Sequence, residues 1–91
     1  MPQTVFYKGK DQDFSVIIEN KAAVEKFRKG DHSLPLIDIV GIYKVFVSQR
    51  GTEASDDEAS KQDLENEFGT SNRDEVIKKI LTEGEFNTLK P

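Results

Sequence analysis

Residues 4–18 read Thr4-Val5-Phe6-Tyr7-Lys8-Gly9-Lys10-Asp11-Gln12-Asp13-Phe14-Ser15-Val16-Ile17-Ile18. The first four are β-branched or aromatic and suit a strand. Phe14, Val16 and Ile18 alternate, which puts them on one face of a second strand. Lys8 to Asp13 is polar and contains Gly9, as a turn requires. The spacing predicts a β-hairpin and commits the fold to an antiparallel pair. Phe6 and Tyr7 are neighbours in the first strand, so one of the two rings must leave the core face.

Beyond the hairpin, Asn20 caps a helix expected to run to about Lys29. Ala23, Val24 and Phe27 share its apolar side, and Gly30 ends it. Residues 36–40, Leu-Ile-Asp-Ile-Val, admit two readings. Pro35 favours a first helical turn, whereas the β-branched side chains favour a strand. After Gly41, Tyr43-Lys44-Val45-Phe46-Val47 reads as a strand with Tyr43, Val45 and Val47 on one face and Lys44 and Phe46 on the other. Residues 48–60 have almost no large apolar group, and a mobile acidic loop is expected there. Ser60 with Asp63 forms a capping box for a helix carrying Leu64 and Phe68 and ending at Gly69. The next helix is capped by Asn72 with Glu75 or by Ser71 with Asp74. It buries Val76, Ile77, Ile80 and Leu81, turns Lys78 and Lys79 to solvent, and closes at Gly84. Glu85-Phe86-Asn87 can return to the sheet.

The expected order is β-β-α-α-β-α-α with a short final strand. That is an α+β fold: a small, mainly antiparallel sheet of three to four strands packed against about four short helices in two layers. All of residues 1–91 are read as a single domain, with its core at about 4–87.

Composition narrows function before any motif does. Charged residues make up 33% of the chain and hydrophobic ones 35%, so one small core is all that 91 residues can build. Cysteine is absent, which removes disulfides and thiolate sites and fits a reducing compartment. With one histidine, a zinc site is nearly excluded. No run reaches the ~20 apolar residues of a membrane span, and the first residues do not read as a signal peptide. The net charge of −4 is uneven: residues 1–50 carry eight Lys or Arg against six Asp or Glu, and residues 51–91 carry five against eleven. The acidic total argues against a basic nucleic-acid binder, so any RNA contact must use a local patch in the first half.

Catalytic chemistry finds little support. His32 lies between Asp31 and Ser33, but a working His-Asp-Ser group needs convergence in space, and an exposed loop histidine is the simpler reading. The acids Asp56-Asp57-Glu58 and Asp63, Glu65 and Glu67 lack the ligand order of a calcium loop and read as a solvated surface. The six glycines are too far apart for a phosphate loop. No catalytic residue, cofactor or metal is expected.

Basic residues offer the candidate contacts. Lys8 and Lys10 flank Gly9 in the turn, Lys26, Arg28 and Lys29 end the first helix, and Lys44 and Arg50 bracket the third strand. Lysines on a turn can reach a phosphate backbone, and an exposed ring beside them is a stacking platform for single-stranded RNA. The cations of the helix end are also explained by the helix dipole alone.

From Val45 onward the order Val45-Phe46-Val47, Gly51, Lys61-x-Asp63-Leu64, Phe68-Gly69-Thr70 and Ile80-Leu81-Thr82-x-Gly84-Glu85 resembles the N-terminal (FYSH) domain of the SBDS family, the Shwachman–Bodian–Diamond syndrome protein family of ribosome maturation factors. Val5, Lys8, Gly9, Lys10, the second strand and residues 36–40 fall in matching order, so the resemblance covers about residues 4 to 87. It implies a mixed α/β fold with a small antiparallel sheet, and a helix at residues 36–40. Full family members carry two further domains and help an elongation-factor-like GTPase release an anti-association factor from the large ribosomal subunit. This sequence stops after the first domain, lacks an extended tail before the first strand, and has a longer acidic loop. It therefore resembles the short, stand-alone fungal proteins with this domain, which are linked to RNA metabolism and stress.

The combined expectation is a non-catalytic, monomeric binding module of the cytoplasm and nucleus, associated with RNA metabolism and with ribosomal particles. Lys8, Lys10, Lys26, Arg28, Lys29, Lys44 and Arg50 are its candidate phosphate contacts. The alternative is a protein-interaction adapter that touches no RNA and uses the acidic loop with the helix after Ser60.

Overall fold

The computed structural model describes residues 3–49 and 57–87. The hairpin forms as its residues dictate. β1 (Gln3–Lys8) and β2 (Gln12–Ile18) pair antiparallel, with Val5 opposite Val16 and Tyr7 opposite Phe14. The Gly9 N–H donates to the Gln12 carbonyl at 2.9 Å, closing the turn. The remaining elements are α1 (Lys21–Arg28), α2 (Leu36–Ile39), β3 (Phe46–Gln49), α3 (Lys61–Phe68), α4 (Arg73–Glu83) and β4 (Glu85–Asn87). β3 joins β2 and β4 joins β1, both antiparallel, giving a four-stranded sheet in the order β3-β2-β1-β4. The fold is α+β.

Opposed residues share a face, so Val5, Phe14, Val16, Ile18 and Val47 form one apolar side of the sheet. The described helices lie on that side. α4 crosses β1 and β2 and buries Val76, Ile77, Ile80 and Leu81 completely. α1 adds Ala23, Val24 and Phe27, α2 adds Ile39, and α3 adds Leu64. Phe68 of α3 closes the hairpin end of the core, with its ring 5.0 Å from Tyr7 and 5.1 Å from Phe14.

The caps form where the sequence signals them. The Asn20 side chain accepts from the Ala22 and Ala23 N–H groups. Ser60 and Asp63 make the reciprocal capping box. At α4 it is Asn72 that accepts, from the Glu75 N–H at 3.1 Å. Gly69 takes the left-handed conformation at φ 75° that disfavours other residues. Gly84 ends α4 for a different reason: its backbone is extended, but a Cβ there would meet the Phe6 carbonyl at 2.6 Å.

Residues 36–40 combine both readings. Four of them turn as α2, and Val40 then bridges to Ile18. That bridge moves the third strand. Residues 39–41 take the edge of β2, where Glu19 N–H donates to Ile39 and Gly41 N–H donates to Ile17. The chain cannot pair with β2 again until Phe46, so β3 starts at Phe46 instead of Tyr43. The acidic loop expected over 48–60 is shorter than read. Residues 48–49 belong to β3, and residues 57–59 line its outer edge through Val47 N–H to Asp57 and Ala59 N–H to Val45. The mobility expected of the loop concerns residues 50–56, which lie outside the described residues.

Candidate functional site

The helix-free side of the sheet is set by alternation. On β1 it carries Thr4, Phe6 and Lys8, on β2 Asp13, Ser15 and Ile17, and on β3 Phe46. Tyr7 packs inward on Phe68, so Phe6 is the ring that leaves the core face. The register then makes a row across the sheet: Phe46 opposite Ser15, Ser15 opposite Phe6, and Phe6 opposite Glu85. Two strand spacings put the Phe6 and Phe46 backbones about 10 Å apart. Both rings are half-buried, with small Ser15 between them. In chemical terms this is a pair of aromatic platforms on a sheet, with a hydroxyl between.

The candidate cations divide over this architecture. Lys8 ends β1 on the helix-free face and is exposed, opposite Asp13. Lys10 is exposed at the turn, and its backbone N–H donates to Glu67 Oε1 at 2.9 Å. That bond fastens the hairpin tip to α3, and Gly9 leaves room for it, because a Cβ there would sit 2.8 Å from Glu67 Oε1. Lys44 precedes Phe46 by two residues and lies 4.0 Å from Glu58. Glu58 also reaches Arg73 at 3.5 Å, and Arg73 lies over the Tyr43 ring. An exposed pair of this kind contributes little, so the Lys44 ammonium can exchange its partner for a phosphate.

Lys26 on α1 and Lys29 at its C-cap are exposed, in the opposite layer, and do not join the face. Arg28 is engaged in the fold. Its Nε donates to the Leu81 carbonyl and its Nη2 to the Gly84 carbonyl, both at 2.6 Å, while its plane lies 4.6 Å from the Phe86 ring. Arg50 lies outside the described residues. The structure thus brings Lys8 and Lys44 towards one side of the sheet, sets Lys10 at the hairpin tip that is fastened to α3, and leaves the other described candidates in the helix layer. Phe46 was visible in the sequence as a residue facing away from Val45 and Val47. Its place beside Phe6 follows only from the pairing of both strands with β2.

A second surface feature stands apart from the sheet. A groove of about 520 Å³ lies between α4 and residues 32–37, floored by Phe27, Leu36 and Tyr43. His32 stacks on Phe27 with ring centres 4.3 Å apart. It is held there by a turn in which Asp31 accepts from the Ser33 N–H. Hydrogen bonds from Ser33, its hydroxyl first and then its N–H, keep the Asp31 carboxyl below the usual carboxylate range. His32 is exposed, and the only acid beside it in the turn already serves Ser33.

Comparison with known proteins follows the same architecture. Residues 2–90 match the family described as the Shwachman-Bodian-Diamond syndrome (SBDS) N-terminal domain. The SDO1-like protein of Schizosaccharomyces pombe is 42% identical over 84 residues, covering 90% of this chain and 78% of that protein. The four antiparallel strands, the helices on one side and the match over nearly every residue agree: the chain belongs to the SBDS N-terminal domain family.

Proposed function

We propose that this chain is a non-catalytic RNA-binding module of the ribosome-maturation kind, acting in the cytoplasm and nucleus. One observation carries the reading: the row Phe46–Ser15–Phe6 on the helix-free face, with Lys8 and Lys44 beside its two rings. Aromatic side chains on a sheet stack unpaired bases regardless of sequence, and nearby cations hold the backbone. The family membership supports a link to ribosome biogenesis. The acids on the same face, Asp13 and Glu85, keep the electrostatic attraction small, so binding is weak and carried by few phosphates.

The test is a titration of the whole protein with an unstructured, uridine-rich oligoribonucleotide, read by fluorescence anisotropy. Three phosphate contacts, from Lys8, Lys10 and Lys44, predict roughly a 20-fold loss of affinity between 50 and 200 mM salt, at a slope of about −0.7 per contact. Phe6→Ala and Phe46→Ala each cost about 1–3 kcal/mol of binding, and Lys8→Ala with Lys10→Ala flattens the salt dependence. An affinity unchanged in all of these variants removes the face as the site. A cellular partner that survives RNase treatment and is lost on deleting residues 52–58 would point to the protein-adapter alternative instead.

A further inference from the structure

The sheet face and the hairpin leave one prominent surface without a role. Leu34 is 45% exposed, Ile37 58% and Ile42 43%, three large aliphatic side chains within nine residues of chain. Leu34 and Ile37 line the groove described above, whose other wall carries Asp74 and Lys78 of α4. Two other pairs on α4 are matched, Arg73 with Glu58 and Lys79 with Glu83 at 3.4 Å, while Glu75 of the first turn is not matched among the described residues. Asp74 and Lys78 form no ion pair among the described residues, although they stand one turn apart.

We propose that this groove is the contact surface of a two-fold dimer, and that its occupant is a second copy of this chain. The argument is charge complementarity under symmetry. In a two-fold interface, residue i meets residue j and j meets i. A pair of opposite charges about 6 Å apart along a helix is self-complementary under a two-fold axis passing between them. Two copies of α4 then run antiparallel, and each Asp74 faces the partner's Lys78. The same axis sets the grooves of the two copies face to face, so that Leu34 and Ile37 of each lie at the contact. A groove of this size buries less than a standard interface, so the dimer is weak and forms at high local concentration. The inference is independent of the RNA reading, because the groove lies in the helix layer.

The symmetry gives a test that a general hydrophobic patch would not pass. Sedimentation equilibrium of the whole protein, from about 10 μM to 1 mM, is expected to show a monomer–dimer equilibrium. Asp74→Lys and Lys78→Glu each place like charges together twice, and each variant alone is expected to be monomeric. Mixing the two restores opposite charges at both contacts, and a heterodimer is expected. The double variant D74K/K78E should dimerise with itself. Both positions of the exchange are exposed, and circular dichroism checks that each variant keeps its helices. Ile37→Asp, on an exposed site, provides a second loss-of-association variant. A wild type that stays monomeric at 1 mM overturns the proposal. So do single variants that still dimerise, or a mixture that fails to associate when both components are folded.

Discussion

The Arg28 guanidinium spans two carbonyls at the end of α4 and covers the Phe86 ring, so one side chain joins α1, α4 and β4. Hydrogen bonds from a charged donor are worth about 1.5–3 kcal/mol net, and the carbonyls it leaves would be partly buried. Arg28→Ala is therefore expected to lower the unfolding free energy by about 2–3 kcal/mol, measured by urea denaturation. Arg28→Lys should recover only part of this, because an ammonium cannot hold the two carbonyls in the plane of a fork. In the sequence, Arg28 stood with Lys26 and Lys29 as one basic cluster. Nothing local distinguishes it from them: its partners are more than fifty residues away. The choice between Phe6 and Tyr7 was closed to sequence reasoning for a similar reason. Both parities of β1 are apolar, and the ring that goes inward is selected by Phe68, far along the chain.

Among the elements, helix ends were the most legible, because a cap is a contact between residues three apart. The Ser60–Asp63 box was readable from four letters, and its chemistry has a pH consequence. The Asp63 carboxyl lies below its ordinary value of 3.8, chiefly through the backbone N–H of Ser60 and next through the Gln12 side-chain amide. A depressed carboxylate contributes stability that is present above the unfolded value and lost as pH falls through the folded one. Asp63→Asn is thus expected to be less stable than wild type at neutral pH. The difference should narrow below pH 3.8, as followed by urea midpoints across an acid series. An unchanging difference would show that packing, not the charge, sustains the box. β3 was legible as a strand and wrongly bounded. Its start depends on residues 39–41 occupying the β2 edge, a competition between two segments for the same backbone groups that no window of sequence contains.

At the scale of the molecule, a single apolar layer holds helices to sheet. Ile80 is fully buried in it, on the helix that touches both central strands. Ile80→Ala is expected to cost about 3–4 kcal/mol through lost burial and the cavity left behind. In a domain of this size that lowers Tm by roughly 15–30 °C, readable by calorimetry. The architecture could be read from the alternation of period two and period 3.6, since a layer with one apolar side admits few arrangements. The helix-free face could not be read as a site, because its two rings belong to strands that do not touch one another. Each becomes meaningful only through β2 between them.

β1 and β4 have a further consequence. Among the described residues the first strand is a central strand of the sheet, and its second neighbour is the last element, with Val5 opposite Phe86. A nascent chain leaving the ribosome therefore carries β1 with one edge unsatisfied over the whole stretch that separates it from β4. β2 can zip onto it early, but the other edge waits for residues 85–87. Arg28 likewise waits for the carbonyls of Leu81 and Gly84. Closing contacts this distant slows folding and extends the time for which strand edges lie open. The native sheet is thus completed only once residues 85–87 are available to β1, and a polypeptide stalled before residue 85 presents a hairpin edge on which chaperones or like chains can dock.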